Sequence, residues 1–354
     1  MPDQHPRLSP RDLLGPGALF LGALLIAVAI AIGPLVGADL KKVPLDLDLT
    51  SVSDGSAATR VLDRCSLEAP RAAVVGGTVN QQRRIVTVQP SDARVVTLQA
   101  GTALGLVGDA ADHCGEPTLA AVIDRTTLDR TTAAPTGSSQ VQYDDERAAL
   151  AVDDRRGYTY VLPFGFDPVG AQYFDPITRQ TLPMAAAGSE TMGGRAVTRF
   201  VVDVPDTDLA VAQQDPRAVL EKPASWFGAF PNTAPNERLT ATLHHRATRD
   251  LFVDTETGVI VSERAVITEE YRFAPDVRAR NAALEEFALT NLTTTLSSDH
   301  QTLRDAAAYA SSRAWPVTVT TRVVPIVAGG LGVAALITGV WWMRRRPAAA
   351  PAAD

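Results

Sequence analysis

The sequence predicts an α+β fold in which a β-rich exterior domain with flanking helices is bracketed by one transmembrane helix at each end. Three observations carry this expectation. Two uncharged apolar runs lie near the ends of the chain, at Leu13–Val36 and Val323–Met343. Loosely alternating, β-branched runs punctuated by Pro, Gly, Asp and Ser fill the middle, and helical spacing returns only after about Val277. The 354 residues are 45% hydrophobic, enough for a real core, and the net charge is -7. That acidic balance, with lysine confined to Lys41, Lys42 and Lys222, argues against a nucleic-acid partner, because phosphate binding rests on clustered cations.

The first apolar run is long enough to cross about 30 Å of hydrocarbon at about 1.5 Å per residue. Val36-Gly37-Ala38 has the small residues of a cleavage site, but the run exceeds the roughly 7–15 residues of a signal-peptide core. Residues 13–38 are therefore expected as an uncleaved anchor that follows a cytoplasmic segment, residues 1–12. The second run, residues 323–343, ends in Trp341 and Trp342 at interfacial positions and stops at Arg344, Arg345 and Arg346. By the positive-inside rule that triplet places the tail, residues 344–354, in the cytoplasm. Two crossings then put the N-terminus inside as well, and residues 39–322 outside a bacterial plasma membrane. Gly15, Gly17 and Gly22 in the first run, and Gly329, Gly330, Gly332 and Gly339 in the second, fit either close helix pairing or ordinary glycine tolerance in membrane helices.

Cys65 and Cys114 are the only cysteines, and both fall in the exterior region, where an oxidising compartment favours a disulfide. A metal site is the poorer alternative: the spacing is not CxxC, and His113 is the one imidazole nearby. Arg83–Val88 and Arg94–Leu98 flank Gln89-Pro90-Ser91-Asp92 as a hairpin. A longer hairpin joins Leu239–Val253 to Val259–Phe273 through Thr255-Glu256-Thr257-Gly258. Leu119–Asp124, Arg156–Leu162 and Ala196–Val204 read as further strands. Thr132–Gln140, rich in Thr, Ser, Pro and Gly, is the candidate internal seam. Ala121–Thr127 and Leu251–Thr257 echo each other as strands ending in Asp before a turn. Helices are expected at Val277–Leu289 and at Leu303–Arg313, the latter opened by a capping box of Ser298 and Gln301 and stopped before Pro316.

Catalytic signatures are missing: the sequence has no GxSxG, HExxH or phosphate loop. His244 and His245 are adjacent on a strand, so they point to opposite faces and do not share a site. Asp46-x-Asp48 and Asp206-x-Asp208 match the DxD of metal-dependent sugar transferases, a pattern equally common in turns. No metal, cofactor or catalytic residue is assigned, and an enzyme is the less favoured class. The aromatic residues concentrate in Tyr158–Pro176 and Trp226–Phe230, although aromatics make up only 6% of the chain. Tyr158, Tyr160, Phe164, Phe166, Tyr173, Phe174, Trp226 and Phe227 are the candidate lining of an apolar ligand site, or else the core of a domain otherwise built from small residues.

The segments Gly157-Tyr158-Thr159-Tyr160-Val161-Leu162-Pro163-Phe164, Gln172-Tyr173-Phe174-Asp175-Pro176 and Val253–Val261 carry a resemblance to a family. The chain resembles, over nearly its whole length, the actinobacterial two-helix envelope family often labelled PorA-like. The resemblance implies a porin-like role. The residues add a constraint: crossing by two apolar helices is not crossing by a barrel, and a channel lined by these segments would draw polar groups only from Thr338 and the glycines. The layout is also similar, in topology alone, to that of animal scavenger receptors that carry lipid. The expected function is thus an envelope membrane protein whose exterior domain binds or conveys a lipid or lipoglycan, or assists envelope-assembly proteins. The alternatives are a pore, a scaffold or a transferase.

Overall fold

The computed structural model describes residues 10–108, 114 and 117–345, and its chain falls into two compact units. The larger, Lys42–Ser311, is the sheet domain; the smaller collects the two ends of the chain.

Among the described residues of the sheet domain, fourteen strands form one antiparallel sheet. Its main path runs through β11 (Ala185–Met192), β12 (Arg195–Asp208), β14 (Arg238–Asp254), β15 (Val259–Phe273), β16 (Leu289–Ser298), β1 (Asp48–Gly55), β4 (Thr78–Val88), β5 (Val95–Val107), β6 (Thr118–Asp129), β7 (Pro135–Gln142) and β8 (Leu150–Ala151). β13 (Val219–Pro223) joins β14, and β2 (Arg60–Leu62) bridges β16 and β3 (Val74–Gly76). β9 (Gln172–Asp175) and β10 (Gln180–Pro183) make a separate hairpin. The sheet is open, since β11 and β8 end the path without pairing to each other.

Both expected hairpins form: the arms of β14 and β15 match the expected spans to within one residue, whereas β4 and β5 run longer than the sequence pattern suggests. β14 and β15 pair from Ala241–Phe273 to Asp254–Val259, and β4 and β5 from Thr78–Val107 to Val88–Thr97. At the tip of the first, Gly258 adopts a positive φ of 75°, and a Cβ there would collide with the Leu162 carbonyl. Residues 132–140 form the turn into β7 and most of that strand.

Several expected elements differ. Arg156–Leu162 is not a strand: Arg155 and Thr159 are tied by side-chain bonds that hold an irregular path, and only Tyr158 bridges to Tyr173. The helix expected at Val277–Leu289 is two single turns, α5 (Pro275–Arg278) and α6 (Ala282–Glu285), because Asn281 restarts the backbone as an N-cap for Leu284 N–H before β16 takes over. α7 (His300–Thr318) is capped by Asp299, which accepts from Thr302 N–H at 2.6 Å, and not by Ser298. The echo fails at Asp124, which lies inside β6 and not at a strand end.

Two further single turns are α3 (Leu209–Ala212) and α4 (Ala224–Phe227), whereas α2 (Ala38–Leu40) is the last turn of the first long helix. The sheet packs several apolar clusters. The largest joins Val79, Phe166, Tyr173, Phe200, Val202, Leu251 and Ile267, and a second gathers Trp226, Phe227, Tyr271 and Phe273.

The smaller unit pairs α1 (Pro10–Ile32) with α8 (Val324–Arg344). Each meets a π-helical turn, Gly33–Gly37 or Val319–Val323. The stop expected before Pro316 does not occur, and helix runs from His300 to Arg344. One missing N–H is a small loss beside the hydrogen bonds that a broken helix would forfeit. Thr320 and Thr321 hydroxyls also donate to the Pro316 and Val317 carbonyls, at 2.6 and 2.7 Å. The glycines fit the pairing reading. A Cβ on Gly22 would lie 2.7 Å from the Gly332 carbonyl oxygen, and one on Gly339 3.0 Å from that of Gly15, whereas Gly17 and Gly330 face open space.

Candidate functional site

The sheet domain carries charged groups in its interior. Arg83 on β4 donates through Nη1 to Glu263 Oε2 at 2.8 Å, and Arg249 on β14 donates to Glu263 Oε1 at 3.1 Å. Arg249 also pairs with Asp175 at 3.1 Å, whose other oxygen accepts the Thr178 N–H and hydroxyl at 2.9 Å. Two guanidiniums thus face two carboxylates, and the cluster is neutral. Burial alone would push the Glu263 carboxyl up, but its ion pairs and hydrogen bonds with Arg83 and Arg249 win and hold it down at about 2. Burial raises the Tyr173 hydroxyl beside them.

A second pair sits in the same interior. Arg155 grips Asp124 with both terminal nitrogens, at 2.5 and 2.8 Å, and its guanidinium lies 4.0 Å over the Phe174 ring. Tyr160 donates its hydroxyl to Asp124 Oδ2 at 2.8 Å, while Thr159 links Arg155 to the Phe174 carbonyl. Glu263 and its arginines exchange no proton near neutrality, so the cluster orients and rigidifies. Among the described residues no three His, Cys, Asp or Glu side chains gather as a metal site.

Beside Arg83 and Tyr160 opens a cavity of about 370 Å³. Its walls are Asp48–Ser51 and Ser53 of β1, Arg83 and Ile85 of β4, Tyr160 and Val161, Val259–Glu263 of β15, Ser298, and the first turns of α7 through Thr302, Asp305, Ala306 and Tyr309. The volume lies in the range of small-ligand sites.

The aromatic residues singled out from the sequence are dispersed. Phe166 and Tyr173 pack in the largest cluster, with Tyr158 at its margin. Trp226 and Phe227 join Phe273, and Phe287 stacks on Phe273 with centroids 4.4 Å apart. Phe174 packs with Val122, Val141 and Tyr143, Phe164 is half-buried, and Tyr160 alone of the group lines the cavity. The expected disulfide forms between Cys65 and Cys114. Next to it, Trp226 Nε1 donates to the Ser66 carbonyl at 2.8 Å. His245 is buried against Glu269 at 3.0 Å, and His244 meets Asp206 at 3.2 Å on the other face. Three of the four DxD aspartates are held by protein partners: Asp48 by Arg84, Asp206 by Arg272 and Asp208 by Thr242. Arg344 and Arg345 close α8, with Arg345 stacked 3.5 Å over Trp341. Arg346 and His113 lie outside the described residues.

With the architecture in view, the chain matches the porin PorA family over residues 14–341, a span that takes in both long apolar helices and the whole sheet domain. It belongs to that family. A protein of Corynebacterium amycolatum named porin PorA is 26% identical over 236 residues, which cover 55% of this chain and 58% of the relative. Its namesake in Corynebacterium resistens is 27% identical over 237 residues, covering 54% and 56%. The chain thus spans little more than half the length of the PorA relatives it matches.

The PorA membership and the two apolar helices together fit a membrane protein of the cell envelope. The buried charges are the functional candidates that sequence reasoning passed over. Strand alternation marks them: Arg83 shares a β4 face with Val79 and Ile85, and Arg249 shares a β14 face with Ala247, Leu251 and Val253, all of them buried.

Proposed function

We propose that this chain is a porin-like protein of the cell envelope, anchored by its two helices, with the sheet domain outside the plasma membrane and both termini inside. The observation that carries the reading is the family match, which spans the helices and the sheet domain together, with relatives that bear the porin name. The disulfide supports an oxidising location for the sheet domain, and the arginines after α8 support a cytoplasmic tail. The helix pair constrains how a passage would be made. Its exposed side chains are apolar, with Phe20, Ile30, Ile326 and Ile337 all at least 65% exposed, and Thr338 spends its hydroxyl on the Ala334 carbonyl at 2.8 Å. Such surfaces face lipid, and a hydrated path draws its polar lining from the sheet domain in an assembly of several copies.

Purified full-length protein in planar bilayers tests this. Stepwise conductance that persists across preparations and vanishes on proteolysis of the sheet domain supports the reading. Bilayers that contain the protein by immunodetection but stay silent remove it. The lipid- or lipoglycan-carrying alternative gains no support from the packing, because the aromatic residues it relied on lie in separate clusters. A stoichiometric lipid retained in native mass spectrometry would restore it.

A further inference from the structure

We propose that the 370 Å³ cavity is a strand-addition site that takes an extended peptide segment. The sheet itself argues for this. β15 and β1 are both neighbours of β16, but β16 stops at Ser298. β1 pairs with β16 only from Ser53 to Gly55, and β15 only from Arg264 onward. Asp48–Val52 and Val259–Glu263 therefore each have a strand on one side alone, β4 and β14 respectively. The gap between them has the width of one absent strand, about 10 Å from axis to axis, and a length of about 14 Å along β1.

The lining has the signature of strand edges. Successive residues of a strand point to opposite faces, so a cavity resting on one face would touch every second residue. This one touches Asp48, Leu49, Thr50 and Ser51 in succession, and Val259 to Glu263 likewise. The hydrogen-bond phase agrees. Leu47 accepts from Thr87 N–H, so the odd residues of β1 bond towards β4. Val52, of the other phase, turns its N–H to the Thr302 hydroxyl at 2.8 Å and its carbonyl to Asp299 N–H at 3.0 Å. Glu263 is finished in the same way, its N–H and carbonyl both bonded to the Ser298 hydroxyl. Side chains thus close the top of the gap. Two residues further along β1, Thr50 directs its N–H and carbonyl into the cavity.

An occupant that bonds to this edge must offer alternating N–H and C=O groups at strand spacing, which is the chemistry of an extended polypeptide. Its alternate side chains would face Ala306 and Tyr309 of α7 on one side, and Arg83 and Ile85 of β4 on the other.

The test uses the full chain in detergent, with an acetylated, amidated pentapeptide of alternating threonine and valine as the probe. Binding is read by hydrogen exchange of the segment 48–53. Exchange should slow in the presence of millimolar probe. A probe N-methylated at its central amide should bind about tenfold more weakly, the worth of one backbone hydrogen bond. Ala306→Trp, and separately Ser51→Phe, should fill the gap and abolish binding while the thermal midpoint shows that the domain is folded. The proposal is overturned by unchanged exchange at millimolar probe, by equal binding of the N-methylated probe, or by undiminished binding to whichever filled variant remains folded.

Discussion

The carboxylate of Glu263, set between Arg83 and Arg249, makes the sheet domain's stability depend on pH in a calculable window. In the folded chain it titrates at about 2, against 4.5 for an ordinary glutamate. The unfolded chain therefore takes up this proton first as pH falls. The contribution is complete above about 4.5, declines below it, and is gone once pH has fallen through about 2. Its size is about 3 kcal/mol, and the side chain is only 12% exposed, so solvent screening removes little of it. Glu263→Gln removes the charge and keeps the shape. The substitution leaves Arg83 and Arg249 facing each other without their shared anion, and should destabilise the domain at neutral pH by about 3–5 kcal/mol. Denaturant titrations of both proteins at a series of pH values from 7 to 2.5 isolate the effect, because Asp215 and the other carboxylates held low titrate identically in each. The gap between the two stability curves should narrow by most of those 3 kcal/mol as pH falls from 4.5 towards 2. Curves that stay parallel would refute the ion-pair account.

Replacing both Cys65 and Cys114 by Ser opens a loop with a sequence separation of 49, and should lower stability by about 4 kcal/mol in the chain-entropy account, read by denaturant midpoint with and without reductant. In the helix pair, a Gly329 Cβ would lie 3.9 Å from that of Ala29, so Ala29→Cys with Gly329→Cys should cross-link on mild oxidation. Adding Gly22→Val should suppress that cross-link, and adding Gly17→Val should leave it, because only the first forces a side chain against α8. Trp226→Phe keeps an aromatic ring and loses the bond to the Ser66 carbonyl, for about 1 kcal/mol, whereas Trp226→Ala should cost about 3–5 kcal/mol; both are read as unfolding free energies.

The legible parts of the fold were those governed by local rules. The apolar runs gave both long helices, and the turn residues Pro90-Ser91-Asp92 and Glu256-Thr257-Gly258 gave both long hairpins. Errors arose where tertiary bonds override local preference. Tyr158-Thr159-Tyr160-Val161 has strand composition, yet Asp124, more than thirty residues away in the chain, takes hold of Arg155 and the Tyr160 hydroxyl and bends the segment out of the sheet. The residues after Val277 look helical until Leu289 pairs with Tyr271, a contact that no local pattern reveals. The composition of the aromatic segments fits packing and ligand lining equally, because their partners Phe200, Phe273 and Phe287 are remote in sequence.

Where the polar chemistry of this protein resides bears on how it could conduct. Apart from Thr338 and the terminal Arg344, the described side chains of α1 and α8 that reach the surface are apolar, and the pair is closed against itself by glycines whose Cβ positions are taken by the opposite backbone. The sheet domain is the reverse: it buries whole ion pairs and keeps an open sheet whose edge strand β11 is almost fully exposed. An exposed strand edge invites pairing with another chain, and a neutral, rigid charged interior keeps the sheet in register while it does so. Under the porin-like reading proposed above, joining of copies edge to edge at β11 is the expected route to a passage wall. Covering β11 by such pairing slows amide exchange across Ala185–Met192 as protein concentration rises. Concentration-independent exchange there, in a preparation that conducts, would show that the passage is built from some other surface.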